Sequence, residues 1–191
     1  MSREDFEFRG NGVVKRKKKR RMGLFIDAVG LDRATRRLEQ KVDLSKLVAG
    51  LSSGIPLEVA RYYTLVPYED DSRQFAFLDA VERAGLEVVV KRLPPKGVKR
   101  QVSMDVHIAN DLLSYSFGHY TNSNGDGTNT SNLARIATVV CPNREMTYAI
   151  FKSHSLGTEM ALADFGLYGG SEGWKGVDRW IDLSTSETIW R

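Results

Sequence analysis

The sequence predicts an α/β domain with a mainly parallel central sheet and helices on both faces. Two observations carry this. Strand-like segments alternate with helical ones at the lengths needed to cross over between parallel strands. The first strong segment, residues 22–28 (MGLFIDA), is apolar almost throughout, as a strand buried on both faces must be. With 191 residues, 41% of them hydrophobic, the chain can build one domain with a sizeable core.

The elements follow in order. Residues 22–28 form a strand that ends in an acid. Residues 30–39 are polar and helical, with Leu31, Ala34 and Leu38 near one face. Asp43 is placed to cap a second helix over 44–51, whose apolar positions are Leu44, Leu47, Val48 and Leu51. Ser52, Ser53 and Gly54 stop it. Residues 57–66 (LEVARYYTLV) read as a strand closed by Pro67. An amphipathic helix over 72–85 uses Phe75, Phe77, Leu78, Val81 and Ala84, with Gly85 at its carboxyl end. Residues 86–93 (LEVVVKRL) are the next strand, followed by Pro94, Pro95 and a basic loop over 96–101. A helix over 104–115 presents Val106, Ile108, Ala109, Leu112 and Leu113. Residues 117–132 are mostly Gly, Asn, Ser and Thr and read as a flexible insertion. A strand over 134–141, a helix over 142–155 opened by Pro142, a short strand over 158–163, a Gly-rich loop over 166–176 and an edge strand over 179–183 complete the chain. No repeat of solenoid period is present.

The charge is divided unevenly. Residues 1–21 hold nine Lys/Arg against three Asp/Glu, a balance of +6, while the rest holds nineteen against twenty-one, a balance of −2. Seven basic residues stand together: Lys15, Arg16, Lys17, Lys18, Lys19, Arg20 and Arg21. Such a run repels itself and has no apolar face, so residues 1–21 read as a disordered basic tail and 22–191 as the folded body. The run suits phosphate backbones, as do Lys99 and Arg100 in the basic loop. A solubilising leader or a nuclear address is the plain alternative.

Composition excludes several classes. The single cysteine, Cys141, makes no internal disulfide, and with three histidines it leaves too few soft ligands for a Cys/His zinc site. No run approaches the roughly 18–20 apolar residues that span a bilayer. The expectation is a soluble cytoplasmic protein with no membrane contact, or a nuclear one in a eukaryotic host.

Ligands bind outside the carboxyl ends of the strands in open parallel sheets. Asp27 follows the first strand, and Asn143 and Glu145 follow the strand over 134–141. An unpaired acid after a buried run is expensive, which singles out Asp27. Asp105 and Asp111 are six residues apart, about 240° around one helix, so they cannot share a site unless Asp105 precedes the helix proper. Asp105 is then the site residue and Asp111 a supporting or rim acid. Carboxylates without His or Cys suit a hard cation, Mg²⁺ or Mn²⁺, which serves phosphodiester hydrolysis. His107, His119 and His154 lack triad or metal spacing. Residues 124–127 (NGDG) lack the acid spacing of a calcium loop, and residues 169–175 (GGSEGWK) lack that of a P-loop. Trp174 and Trp180 could stack bases or pack the carboxyl-terminal edge, and Cys141 reads as a small core residue.

FIDAVGL at 25–31, MDVHIANDLL at 104–113, VVCPNREMTYAIFKSHSLG at 139–157 and VDRWIDLS at 177–184 together resemble the NYN domain family, in its LabA-like, PIN-like nuclease branch. The resemblance runs from residue 22 to 183. It implies a PIN-like three-layer sandwich and, in active members, RNA cleavage by clustered aspartates holding Mg²⁺ or Mn²⁺. It places the first-strand aspartate on Asp27 and the middle pair on Asp105 and Asp111. A pattern like I-D-G-x-N-L falls on residues 26–31, with Ala28 and Gly30 at the small and Asn positions, so the Asn is absent. The late S-G-D-x-D-F pattern falls on Cys141, Pro142, Asn143, Arg144, Glu145 and Met146. Both late aspartates are therefore replaced.

Three readings follow. The first is a metal-dependent endoribonuclease, weakened at the late motif, with Asp27, Asp105 and Glu145 catalytic and Asn143 and Asp111 completing the metal site. The second is a catalytically degenerate module that binds RNA through its basic tail. The third is an assembly subunit, in a homo-oligomer or a larger ribonucleoprotein. Convergence of Asp27, Asp105 and Glu145 favours the first; an Arg144 guanidinium filling their place favours the second.

Overall fold

The computed structural model describes residues 6–8, 14–16, 19–69, 72–119, 133–166, 170 and 172–191. Two short strands, β1 (Phe6–Phe8) and β2 (Val14–Arg16), pair antiparallel. The body follows as β3 (Lys19–Asp27), α1 (Ala28–Arg37), α2 (Leu44–Ser52), β4 (Leu57–Val66), α3 (Ser72–Arg83), β5 (Glu87–Arg92), α4 (Asp105–Phe117), β6 (Leu133–Val140), α5 (Thr147–Ser155), β7 (Glu159–Asp164) and β8 (Arg179–Asp182).

The expected α/β architecture is present. Six strands form one sheet in the order β5-β4-β3-β6-β7-β8, and every neighbouring pair is parallel. The chain runs outward from β3 through β4 to β5, then returns to the other side of β3 and runs outward through β6, β7 and β8. This doubly wound order reverses between β3 and β6, and the crevice at that reversal is where such sheets bind ligands. Alternate β3 side chains serve the two faces. Leu24 and Ile26 join Leu31, Leu47, Leu51 and Val81 of α1, α2 and α3, while Phe25 joins Ile108, Leu112 and Ile150 of α4 and α5. These side chains are almost wholly removed from water, and each contributes roughly 1.5–3 kcal/mol by that burial.

Local chemistry places the helices. Asp43 accepts the Lys46 backbone N–H and caps α2 as expected. Gly85 and Gly157 take left-handed φ angles of 85° and 88°, a conformation that costs glycine nothing. Two expectations need correction. The central strand begins at Lys19 rather than residue 22, because Lys19–Ile26 pairs residue by residue with Leu133–Val140 and carries three basic residues into the sheet. Arg20 is held there by Glu159 at 2.9 Å. Residues 1–21 are therefore not a uniformly unstructured tail: β1, β2 and the start of β3 lie within them, and Lys17 and Lys18 lie outside the described residues. The helix expected over 142–155 starts later. Cys141 takes a φ of 52°, a turn interrupts the chain, and a 3-10 turn over Arg144–Met146 precedes α5. Most of the 117–132 insertion lies outside the described residues.

Gly30 is fixed by packing. A Cβ there would collide with the backbone carbonyl of Cys141, an atom that no side-chain rotation can move. Gly50, in α2, has no atom within 4 Å of the same position. Gly30→Ala is expected to lower the urea midpoint by the equivalent of about 1–3 kcal/mol, and Gly50→Ala to raise it by up to about 1 kcal/mol. Equal midpoints for the two variants would show that α1 does not pack on the end of β6 as described.

Candidate functional site

The carboxyl ends of the central strands form a row. Ile26 is in register with Val140, and Val140 with Ala163, so Asp27, Cys141 and Asp164 end three adjacent strands side by side. Asp182 continues the row, in register with Asp164. Above it opens a cavity of about 350 Å³. Its buried floor includes Asp27, Cys141 and Asp164; Asp105, at the first turn of α4, and the exposed Arg33, Asn143 and Arg144 line its sides together with Trp174. The cavity sits at the β3/β6 reversal.

Asp27 is 7% exposed. Its carboxylate accepts the Val29 backbone N–H at 3.0 Å and caps α1, so the last strand residue also starts the helix. Burial pushes its pKa up to about 6; the Val29 and Gly30 amides pull it down, the Asp105 charge pushes it further up, and Arg33 pulls it down. Asp164 is also raised, mainly by burial, against the pull of the Phe165 N–H, the Cys141 thiol and Arg144. The Cys141 thiol, buried and hydrogen-bonded to Asp164, is pushed far above the ordinary thiol range and is held protonated.

The late segment is arranged by its asparagine. Asn143 Oδ1 accepts the Glu145 backbone N–H at 3.3 Å and caps the 3-10 turn. The amide nitrogen therefore points the other way and donates to Asp105 Oδ2 at 3.3 Å. Arg144 lies with its guanidinium carbon 4.7 Å from the centre of the Trp174 ring and donates from Nη1 to the Glu172 carbonyl at 2.7 Å.

The candidate residues divide accordingly. Asp27, Asp105 and Asn143 come together in the cavity. Glu145 does not: it is exposed and outside the cavity lining. Asp111 faces elsewhere, as its 240° offset from Asp105 requires. It accepts from Arg61 Nη1 at 2.7 Å and from the Tyr63 hydroxyl at 2.8 Å, and it ties α4 to β4. Lys99 and Arg100 are exposed on the loop that runs into the cavity wall at Gln101 and Ser103. Lys19, Arg20 and Arg21 start β3 at the opposite end of the sheet. Eight residues of strand place Lys19 about 26 Å from Asp27. Asp164 and Arg33 were not among the sequence candidates; Arg144, expected as the cation that would fill the place of a metal, lies on Trp174 instead. Asp164 carried a usable signal, since it ends a buried strand just as Asp27 does.

A hard divalent cation fits these residues poorly. The described residues contain no group of three or more His, Cys, Asp or Glu placed to hold a metal ion. Asp27 and Asp164 stand two strands apart, about 10 Å between backbones, with a protonated thiol between them. Toward Asp105, Asn143 presents a donor rather than an acceptor.

Asp27 destabilises the fold when ionised. A carboxyl whose folded pKa is raised keeps its proton longer in the native state, so stability falls as pH rises from about 4 to about 6. The shift corresponds to roughly 3 kcal/mol at most. Asp27→Asn retains the cap and is expected to melt higher than wild type at pH 7, with the gap closing at pH 4 in thermal scans. A gap independent of pH would place the Asp27 carboxyl outside the buried floor.

No curated protein sequence matches the chain. A crystal structure of a protein of unknown function from Vibrio parahaemolyticus superimposes with a TM-score of 0.67 at 10% sequence identity, covering 91% of this chain and 97% of that one. At that identity the likeness shows a shared fold. A family model described as the NYN domain matches residues 21–124. That stretch contains Asp27, Asp105 and Asp111 and ends before Cys141, the start of the altered late segment. By this match over more than half its length, the chain belongs to the NYN domain family.

Proposed function

We propose that this NYN domain binds RNA at the carboxyl-edge cavity and that its metal-dependent cleavage centre has been replaced by a hydrogen-bonded pair. The observation that carries the reading is the orientation of Asn143. Its oxygen is committed to the Glu145 N–H, so its nitrogen faces Asp105, where the family pattern places a second carboxylate. Turning the amide over to offer oxygen to a cation would break the cap and lose both hydrogen bonds, each a net contribution of about 1 kcal/mol. Glu145 is on the outer surface and does not restore the missing charge.

The cavity is balanced from within the chain. Arg33 acts on Asp27, Arg144 acts on Asp164, and Asn143 bonds Asp105. The exposed Arg33 and Arg144 rim, with Lys99 and Arg100 on the adjoining loop, presents cations to an approaching phosphate backbone, while Asp27 and Asp164 lie on the buried floor. The basic segment at Lys19–Arg21 supplies a second contact only if a strand reaches around the sheet, given its distance from the cavity.

A second reading, Mg²⁺- or Mn²⁺-dependent endoribonuclease activity at reduced strength, rests on one observation. The Asp27 and Asp105 charges repel, and a divalent cation between them would relieve that repulsion and the high pKa of Asp27. The two readings separate in one assay: binding and cleavage of mixed single-stranded and hairpin RNAs, with Mn²⁺ or with EDTA. The expected result is binding in EDTA and no Mn²⁺-dependent cleavage by wild type. Asn143→Asp with Glu145→Asp is expected to gain a Mn²⁺-induced rise in melting temperature that wild type lacks. Cleavage by wild type that needs Mn²⁺ and is lost in Asp27→Asn would establish the second reading instead.

A further inference from the structure

Arg144 occupies the middle of the altered late segment, and its side chain is held in an unusual way for an exposed arginine. Its guanidinium lies 4.7 Å from the Trp174 ring centre, within the range of a cation–π contact. Nη1 is anchored to the Glu172 carbonyl at 2.7 Å. Gly173, at a φ of 80°, brings the backbone so close that an added Cβ would stand 3.2 Å from Nη1. These contacts fix the guanidinium from one face and one corner. Its Nε and Nη2 hydrogens have no hydrogen-bond partner among the described residues. Nε and Nη2 form the side edge of the guanidinium, which matches two oxygens of a phosphate.

The setting selects the ligand. Arg144 is exposed at the cavity rim, and Asp164, the acid it acts on, is buried on the floor without an ion pair to it. An arginine that existed to neutralise Asp164 would be expected to reach it. Instead its freedom is spent on Trp174 and Glu172, and its edge is left unpaired. Immobilising a flexible side chain in advance reduces the entropy lost on binding.

We propose that Arg144, laid on Trp174, is the phosphate-reading group of this cavity and grips a backbone phosphate of single-stranded RNA directly, with no metal ion between. The contact takes over what a cation held by the late aspartates would provide, and it rests on the RNA-binding reading above. A cavity of about 350 Å³ is at the small end of ligand pockets, and the unstacked nucleotides of a single strand suit such a recess better than the closed stack of a duplex.

The test measures binding of a fluorescein-labelled oligouridylate of eight nucleotides to the full chain in EDTA, across a salt series. Variants are Arg144→Gln, Arg144→Lys and Trp174→Phe. Arg144→Gln is expected to weaken binding by about tenfold or more and to lower the salt slope by about 0.7, one single-strand phosphate contact. Arg144→Lys keeps the charge but lacks the fork, and is expected to recover the slope and only part of the affinity. Trp174→Phe keeps a supporting ring and is expected to stay within about threefold of wild type. Wild-type affinity and slope in Arg144→Gln would overturn the proposal while leaving RNA binding by the domain intact. Full affinity in Arg144→Lys would overturn the fork, and binding by wild type that requires Mn²⁺ would overturn the metal-free contact. Failure of wild type to bind the oligonucleotide under any condition would instead overturn the RNA-binding reading itself.

Discussion

The parallel pairing of β3 with β6 determines where everything at the cavity stands. Eight consecutive residue pairs, from Lys19 with Leu133 to Ile26 with Val140, lock the two strands in register at the point where the sheet reverses its winding. Asp27 and Cys141 therefore leave the sheet side by side. Asp27 must begin α1 at once, and Gly30 must be bare where the helix passes over the Cys141 carbonyl. Cys141 leaves the sheet through a left-handed turn at a φ of 52°, a conformation unfavourable for a residue with a side chain. A register slip of one residue would move Asp27 to the other face and bury a different set of side chains.

That geometry explains why the replaced late motif matters. With Asp27 and Asp164 kept apart by the thiol between them, a third carboxylate near Asp105 would have to come from residues 143–145. Asn143 instead commits its oxygen to the 3-10 turn and its nitrogen to Asp105. A carboxylate at the same position could cap the turn equally well, but it would repel Asp105 unless a cation lay between them. The amide removes that repulsion by hydrogen bonding. The cavity keeps a phosphate-directed character through Arg33 and Arg144 at its rim, and it loses the charge density a hard cation requires.

Much of this was legible before the fold was known, for physical reasons that can be named. The central strands could be read because residues such as Leu24, Ile26, Val139 and Leu162 sit on strands buried on both faces, which leaves long apolar runs. The only partly buried β4, β5 and β8 were legible from β-branched and aromatic residues and from the prolines, glycines and loops that bound them. Asp27 was legible because a buried run ended in a charge, and Asp105 because the helical period excluded Asp111 from the same side. Other features depended on long-range contacts. Basic residues 19–21 look like tail until β6 pairs with them. The outward position of Glu145 follows from the direction the chain takes after the turn at Cys141, which composition does not encode. The Arg144–Trp174 contact joins residues thirty apart across a Gly-rich loop with no periodicity to signal it. The resemblance supplied the family and the departures at 143 and 145; only the fold shows which way the replacements point.

The most direct measurement is anomalous diffraction from crystals of the wild-type chain soaked in millimolar Mn²⁺ at neutral pH. An Asp105–Asn143 pair that has taken the place of the cation predicts no anomalous peak between Asp27 and Asp105 and an unbroken Asn143 Nδ2 to Asp105 bond. A peak about 2.0–2.2 Å from oxygens of both carboxylates, with the Asn143 amide turned to present its oxygen, would contradict it.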